Sequence, residues 1–212
     1  MGDFGRKAWA ATAAVAVTYV IFFLFFDRAV DLWVHRTLAG GIAEEAGSFV
    51  SQLATGVYVE LALAAGFIWV AVFDPRLERA STKKLFYVLI SVGIAILVGE
   101  GLKYLLGRYR PVMCFEHGLY GLHFFSSQWE LNSTPSGHTL RAFSFFTALS
   151  LLYRRFAVLF MLAAVSIGVG RVLVTAHYPS DVLFGAYIGM MSALLVYRGM
   201  FMQSKKPLDQ TS

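Results

Sequence analysis

The residues able to do chemistry fall in three short clusters, each at a seam between polar and strongly apolar sequence. The first runs from Lys103 to Pro111 and carries Lys103 and Arg110. The second is Pro135-Ser136-Gly137-His138, and the third holds Arg171, His177 and Asp181. Charges at membrane depth are costly and persist only with a partner or a function. Lys103, Arg110 and Arg171 repel one another unless a multi-oxygen anion sits among them, and phosphate matches arginine's planar fork. Ser136 and Gly137 open a helix whose free N–H groups point at an anion, with glycine allowing close backbone approach. Two imidazoles beside a bound phosphoryl group can divide the work. His177 attacks phosphorus while His138 protonates the leaving oxygen and later deprotonates the hydrolytic water. Asp181, four residues after His177, supplies a carboxylate to fix that ring's tautomer.

The spacings Lys103-x6-Arg110-Pro111, Pro135-Ser136-Gly137-His138 and Arg171-x5-His177-x3-Asp181 resemble the three signatures of the type 2 phosphatidic acid phosphatase (PAP2) superfamily. All three occur in order, over about residues 103–181. The resemblance implies a metal-independent lipid phosphatase with no cofactor, working through phosphohistidine. It gives His177, His138 and Asp181 the catalytic roles and makes Lys103, Arg110, Ser136, Gly137 and Arg171 phosphate ligands. One departure stands out: Gly170 occupies the place where the family often has serine. Candidate substrates are undecaprenyl diphosphate, phosphatidylglycerol phosphate, phosphatidic acid and the phosphates of lipid A. Phosphoryl transfer to a second lipid is the alternative on the same site. An anion or lipid transporter is the rival from another class. Against it, the cations gather at one face and no span pair shows inverted-repeat breaks.

The elements that must position these clusters are membrane spans. The chain has 212 residues, 58% of them hydrophobic, well above a soluble domain, and a mean hydropathy of +0.63. The net charge of +5 is not gathered into a soluble basic patch, which argues against nucleic acid. Apolar runs predict six transmembrane helices over residues 8–26, 55–73, 85–106, 139–153, 156–175 and 179–202, each taken as a span. The first lacks an A-x-A cleavage signal and reads as retained. Val30, Trp33, Val34 and Leu38 fall at helical spacing in residues 27–52, which predicts an interfacial helix between spans one and two. The fold class is therefore all-α, one domain over residues 1–212 with its motif-bearing core at about 100–185. Six spans put both termini on one side, and eleven of the 18 Lys and Arg residues fall there. The positive-inside rule makes that side cytoplasmic. All three clusters then share the outer, periplasmic face of a cytoplasmic membrane, where a membrane lipid phosphate is the expected partner.

Several neighbours take supporting readings. Glu100 lies three residues before Lys103 on one helix face, which predicts an ion pair. Arg141, three residues after His138, either contacts a second phosphate or headgroup or braces the fold. Glu60 either pairs with a cation or is protonated. Residues 107–134 form a long loop interleaving Phe115, Phe124, Phe125 and Trp129 with His117 and His123, suited to touching an amphipathic substrate. His117 and His123 read as solvated loop residues, and no metal site is expected. Cys114, the only cysteine, has no assigned role and excludes an intramolecular disulfide.

Overall fold

A computed structural model describes residues 3–52 and 54–202, which are helical almost throughout. The polar tail bearing Lys205 and Lys206 lies outside the described residues. Helix α1, Asp3–Ile21, passes through a π-helical turn, Phe22–Phe26, directly into α2, Asp27–Leu38. The result is one continuous 36-residue helical stretch. The helix expected from residue 27 onward is present as α2, joined to α1 without a break. Asp27 and Asp31 are both 0% exposed, so this face turns into the protein and not toward lipid headgroups. Helix α3, Ile42–Gln52, then packs against α8, Ala157–Leu173.

Helix α4, Gly56–Phe73, stops at Asp74, whose carboxylate accepts the N–H groups of Glu78 (3.0 Å) and Arg79 (2.9 Å). This tight turn launches α5, Ala80–Leu106, which carries Lys103 in its last turn. Helix α6, Pro111–His117, starts with proline at its first position, where the missing N–H costs nothing. Helices α7, Gly137–Leu152, and α9, Pro179–Tyr197, complete the set with α8. Among the described residues, five helical stretches are long and apolar enough to cross a membrane. Helix α7, the remaining expected span, has 16 residues and is about 24 Å long.

α7 is the hub, flanked by α5, α8 and α9. Small residues set the closest approach. A Cβ on Gly185 of α9 would lie 2.8 Å from the Ser136 carbonyl oxygen, and one on Gly189 would lie 2.5 Å from that of Leu140. Backbone-to-backbone contact of this kind lets helices associate where lipid supplies no hydrophobic drive. The outward faces carry Leu97, Val158 and Leu159, all well exposed, as a lipid-facing surface does. Residues 107–134 are not structureless. Gly107 turns with φ +53°, and a Cβ there would fall 1.8 Å from the His123 carbonyl oxygen. His123 N–H donates to Gly107 O (2.7 Å), Arg110 N–H to Glu130 O (2.8 Å) and Ser133 N–H to Arg108 O (3.1 Å). Residues 107–110 are thereby threaded between two loop segments, which ties the first cluster to the second.

Candidate active site

The three clusters converge at the N-terminal end of α7. Ser136 precedes the helix and donates its N–H to the Asp181 carbonyl oxygen at 3.1 Å, joining the second and third clusters through the backbone. Lys103 pairs with Glu100 at 2.6 Å, as the three-residue spacing predicts. Its Nζ would lie 3.2 Å from a Cβ placed on Gly137, so glycine leaves that space open beside the cation. Arg110 is held over the Trp129 ring at 4.4 Å, with Nε donating to Trp129 O at 3.0 Å. Nη2 of Arg110 reaches Asn132 O at 3.3 Å and Nη1 reaches Ala176 O at 3.5 Å, so one guanidinium staples the long loop to the third cluster. Burial pulls Arg110 below its ordinary value, with Asp181 and Glu130 opposing. Arg171, in the last turn of α8, has a buried Nε without a hydrogen-bond partner.

His177 is 2% exposed. Its Nδ1 lies 2.7 Å from the Ser133 carbonyl oxygen. A carbonyl only accepts, so Nδ1 carries the hydrogen and Nε2 keeps the lone pair. Burial holds this imidazole well below the ordinary histidine range, reinforced by Arg110 and Arg171 and opposed by the Ser133 carbonyl. The ring is thus neutral at neutral pH.

Asp181 stands differently from the expected direct orienter. Its Oδ2 is 4.0 Å from His177 Nδ1, beyond hydrogen-bond reach. Instead Oδ2 accepts the Ser133 hydroxyl (2.6 Å) and the Tyr178 N–H (3.0 Å). Oδ1 accepts Arg108 Nη1 at 2.5 Å. The carboxylate therefore holds the residue that holds His177. The group fixing the ring is a main-chain carbonyl.

Arg108 carries a role that residue types in the sequence do not reveal. It is 0% exposed and joins Asp181 to Asp27, whose Oδ2 accepts Nη2 at 2.7 Å. Ser180 Oγ (2.6 Å to Nη1), Tyr120 OH (3.0 Å to Nη2) and Tyr19 OH (3.5 Å to Nη1) add to its polar shell, the Tyr178 ring lies at 4.3 Å, and Nε is buried without a hydrogen-bond partner. Burial alone would lower this guanidinium, but Asp181, Tyr19 and Asp27 outweigh it and raise it. A signal existed: an aspartate ending the phenylalanine run at 22–26 needs a buried partner.

Arg141 sits on α7 with Nη2 3.8 Å from Glu60 Oε1, identifying Glu60's cation. A Cβ on Gly137 would lie 3.4 Å from Arg141 Nη1, so Arg141 shares with Lys103 the space beside Gly137. Gly170 meets α3: a Cβ there would be 2.8 Å from the Gly47 carbonyl oxygen. Serine does not fit this position without a backbone shift. His117 is solvent-facing beside Glu116 (3.8 Å), and among the described residues no cluster of three His, Cys, Asp or Glu could hold a metal ion.

Comparison with known proteins agrees with this fold. Over 116 residues the chain is 36% identical to a lipid A 1-phosphatase of Rhizobium johnstonii, covering 53% of this chain and 48% of that protein. It is 29% identical over 123 residues to the bacitracin transport permease protein BcrC of Bacillus licheniformis, covering 57% and 59%. The chain spans about half the length of the curated relatives it matches. The fold is shared with the crystal structure of Aquifex aeolicus LpxE, with a TM-score of 0.59 at 20% identity, covering 80% of this chain and 93% of that one. It is shared as well with a transmembrane PAP2-type phosphatidylglycerolphosphate phosphatase from Bacillus subtilis, with a TM-score of 0.56 at 18% identity over 93% and 98%. The PAP2 superfamily model matches residues 84–205, more than half the chain and all three clusters, and the chain belongs to that superfamily.

Proposed function

We propose that this protein is a metal-independent phosphatase of membrane lipid phosphates, working through a phosphohistidine on His177. The observation that carries the reading is the His177–Ser133 hydrogen bond of 2.7 Å, which leaves Nε2 unprotonated in a pocket of cations. Lys103, Arg110, Arg171, the Ser136 hydroxyl and the N–H of Gly137 receive the phosphoryl oxygens. Nε2 attacks phosphorus, forming the N–P bond as the P–O bond to the lipid breaks. His138 gives a proton to the leaving oxygen. Neutral His138 then takes a proton from water. The hydroxide attacks phosphorus, the N–P bond breaks and inorganic phosphate leaves. Asp181 acts at one remove, anchoring Ser133 and Tyr178 so that the carbonyl keeps its place.

The likeness to lipid A 1-phosphatase supports a lipid substrate. The same reading takes α7 as a sixth span and places both termini in the cytoplasm, which the excess of cations on that side supports. The site then faces outward, in one domain over residues 1–212. The test is phosphate release by detergent-purified protein from a panel of lipid phosphates, with a chelator present and His177→Ala alongside. Release that survives chelation and vanishes in His177→Ala is the expected result. No release from any lipid, or release abolished by the chelator, overturns the reading.

A further inference from the structure

The Lys103 end of α5 is closed by the loop that follows it. The 27 residues of α5 measure about 40 Å, more than the roughly 30 Å hydrocarbon layer, so the last turn stands at headgroup level. A helix end leaves its final carbonyls without partners, and beside lipid an unpaired carbonyl is costly. Here the chain covers three in succession. Gly107 N–H donates to Lys103 O (2.9 Å), Ser126 N–H to Tyr104 O (3.1 Å) and Phe125 N–H to Leu105 O (3.3 Å). With its backbone donors spent on α5, the returning segment can lie against lipid without stranding them.

What this segment turns outward is apolar. Phe124 is 56% exposed and Phe125 66%, and the Phe125 ring meets the Tyr104 ring edge-on at 6.1 Å. Phe125 holds φ +61°, a left-handed conformation that bulky residues rarely adopt. The two hydrogen bonds to α5, and not local preference, therefore set its direction. The rings extend a surface that already exists. Leu97 and Val98 are exposed on α5, and Tyr104 and Leu105, exposed as well, follow seven residues later on the same helix face. Lys103, one residue before Tyr104, points the other way: its side chain is 12% exposed, and its Nζ lies beside Gly137 of α7. One turn of helix thus presents aromatic residues to one side and a phosphate ligand to the other.

We propose that Tyr104, Phe124 and Phe125 form an interfacial anchor whose partner is the lipid surface itself, at the boundary of headgroups and acyl chains on the active-site face. Large rings, and tyrosine with its polar tip, favour that layer. The anchor fixes the depth of the last turn of α5 and so holds Lys103 level with the phosphates of lipids in the same leaflet. The contact with the bilayer stands on the geometry alone, and its consequence for turnover rests on the phosphatase reading above.

The test uses the full chain in phosphatidylcholine vesicles. Phe125→Trp adds a fluorescent reporter, whose signal is the difference from wild type. Lipids brominated near the top of the acyl chain should quench that signal more than lipids brominated near the chain end, and aqueous iodide should quench it weakly. Strong quenching by iodide with none by either lipid overturns the anchor. So does a signal shielded from both because the chain self-associates through this patch, shown by a change in oligomer mass that Phe124→Ser/Phe125→Ser abolishes. The second arm measures phosphate release in the same vesicles. Phe124→Ser/Phe125→Ser should lower kcat/KM about three- to tenfold on a long-chain lipid phosphate embedded in the bilayer, change it little on a short-chain, water-soluble one, and be rescued by Phe124→Leu/Phe125→Leu. Equal loss on both substrates, or no loss on the embedded one, overturns the link between the anchor and Lys103. If the serine variant does not fold, the Phe125→Trp quenching decides the anchor by itself. Wild type that releases phosphate from neither substrate refutes the phosphatase reading and leaves the quenching result standing.

Discussion

Replacing Arg108 with methionine is the most informative perturbation of the site's frame. Arg108, Asp27 and Asp181 are each 0% exposed, and the guanidinium bridges the two carboxylates at 2.7 and 2.5 Å. Methionine keeps much of the volume but strands two carboxylates in the interior without a counter-charge. Removing one partner of a buried pair costs about 3–5 kcal/mol, against a total stability of about 5–15 kcal/mol. Asp27→Asn is milder, because Arg108 keeps its bond to Asp181 and the remaining pair is neutral. Its cost is that of weakened charge-assisted hydrogen bonds, about 1.5–3 kcal/mol. The double variant Asp27→Asn/Arg108→Met should recover part of the Arg108→Met loss, since only one buried carboxylate is then unpaired. The assay is unfolding in detergent for the three variants, followed by phosphate release at a temperature where each is folded. Folded Arg108→Met should show a lower kcat, because Asp181 no longer holds Ser133 against His177. Wild-type stability in Arg108→Met, or a greater loss in Asp27→Asn, refutes the clamp.

Two further predictions follow from single contacts. Gly170→Ser moves the chain toward the family's usual residue, yet it should destabilise by about 1–3 kcal/mol, because the new Cβ meets the Gly47 carbonyl oxygen at 2.8 Å; unfolding in detergent reads this, and a neutral or stabilising result contradicts the α3–α8 contact. Stability should also depend on pH through His177: its folded value is held low by burial, so below about pH 6.5 the unfolded chain takes up a proton that the folded one refuses. Stability is therefore level on the alkaline side of that value and falls as pH drops through it, and His177→Asn should remove part of the fall; an unchanged slope contradicts a neutral buried ring.

The parts of the site legible in the sequence were those whose cost is visible in residue type. Lys103, Arg110, Arg171, His138 and His177 are charged or titratable groups at apolar seams, and the structure brings them to one end of α7. The Glu100–Lys103 pair was legible because a helix fixes the neighbours of residues three apart. Other parts depend on contacts distant in sequence. Asp27 and Arg108 are 81 residues apart, and nothing in their local context pairs them. The support of His177 is a backbone carbonyl, a group every residue has, so residue types cannot reveal that Ser133 provides it. The same holds for Gly170, whose reason lies at Gly47 on another helix. The apolar spacing of the helix after residue 27 does not reveal that Asp27 is buried, because its partner Arg108 lies in the distant loop after α5.

The proposed reaction requires that His177 Nε2 become covalently phosphorylated. Brief incubation with a lipid carrying labelled terminal phosphate, an alkaline quench and peptide mapping test it directly. An acid-labile, alkali-stable label on the peptide containing His177, increased in His138→Ala and absent in His177→Ala, is the expected result. Turnover without any label on His177, with the quench shown to preserve phosphohistidine, would contradict it.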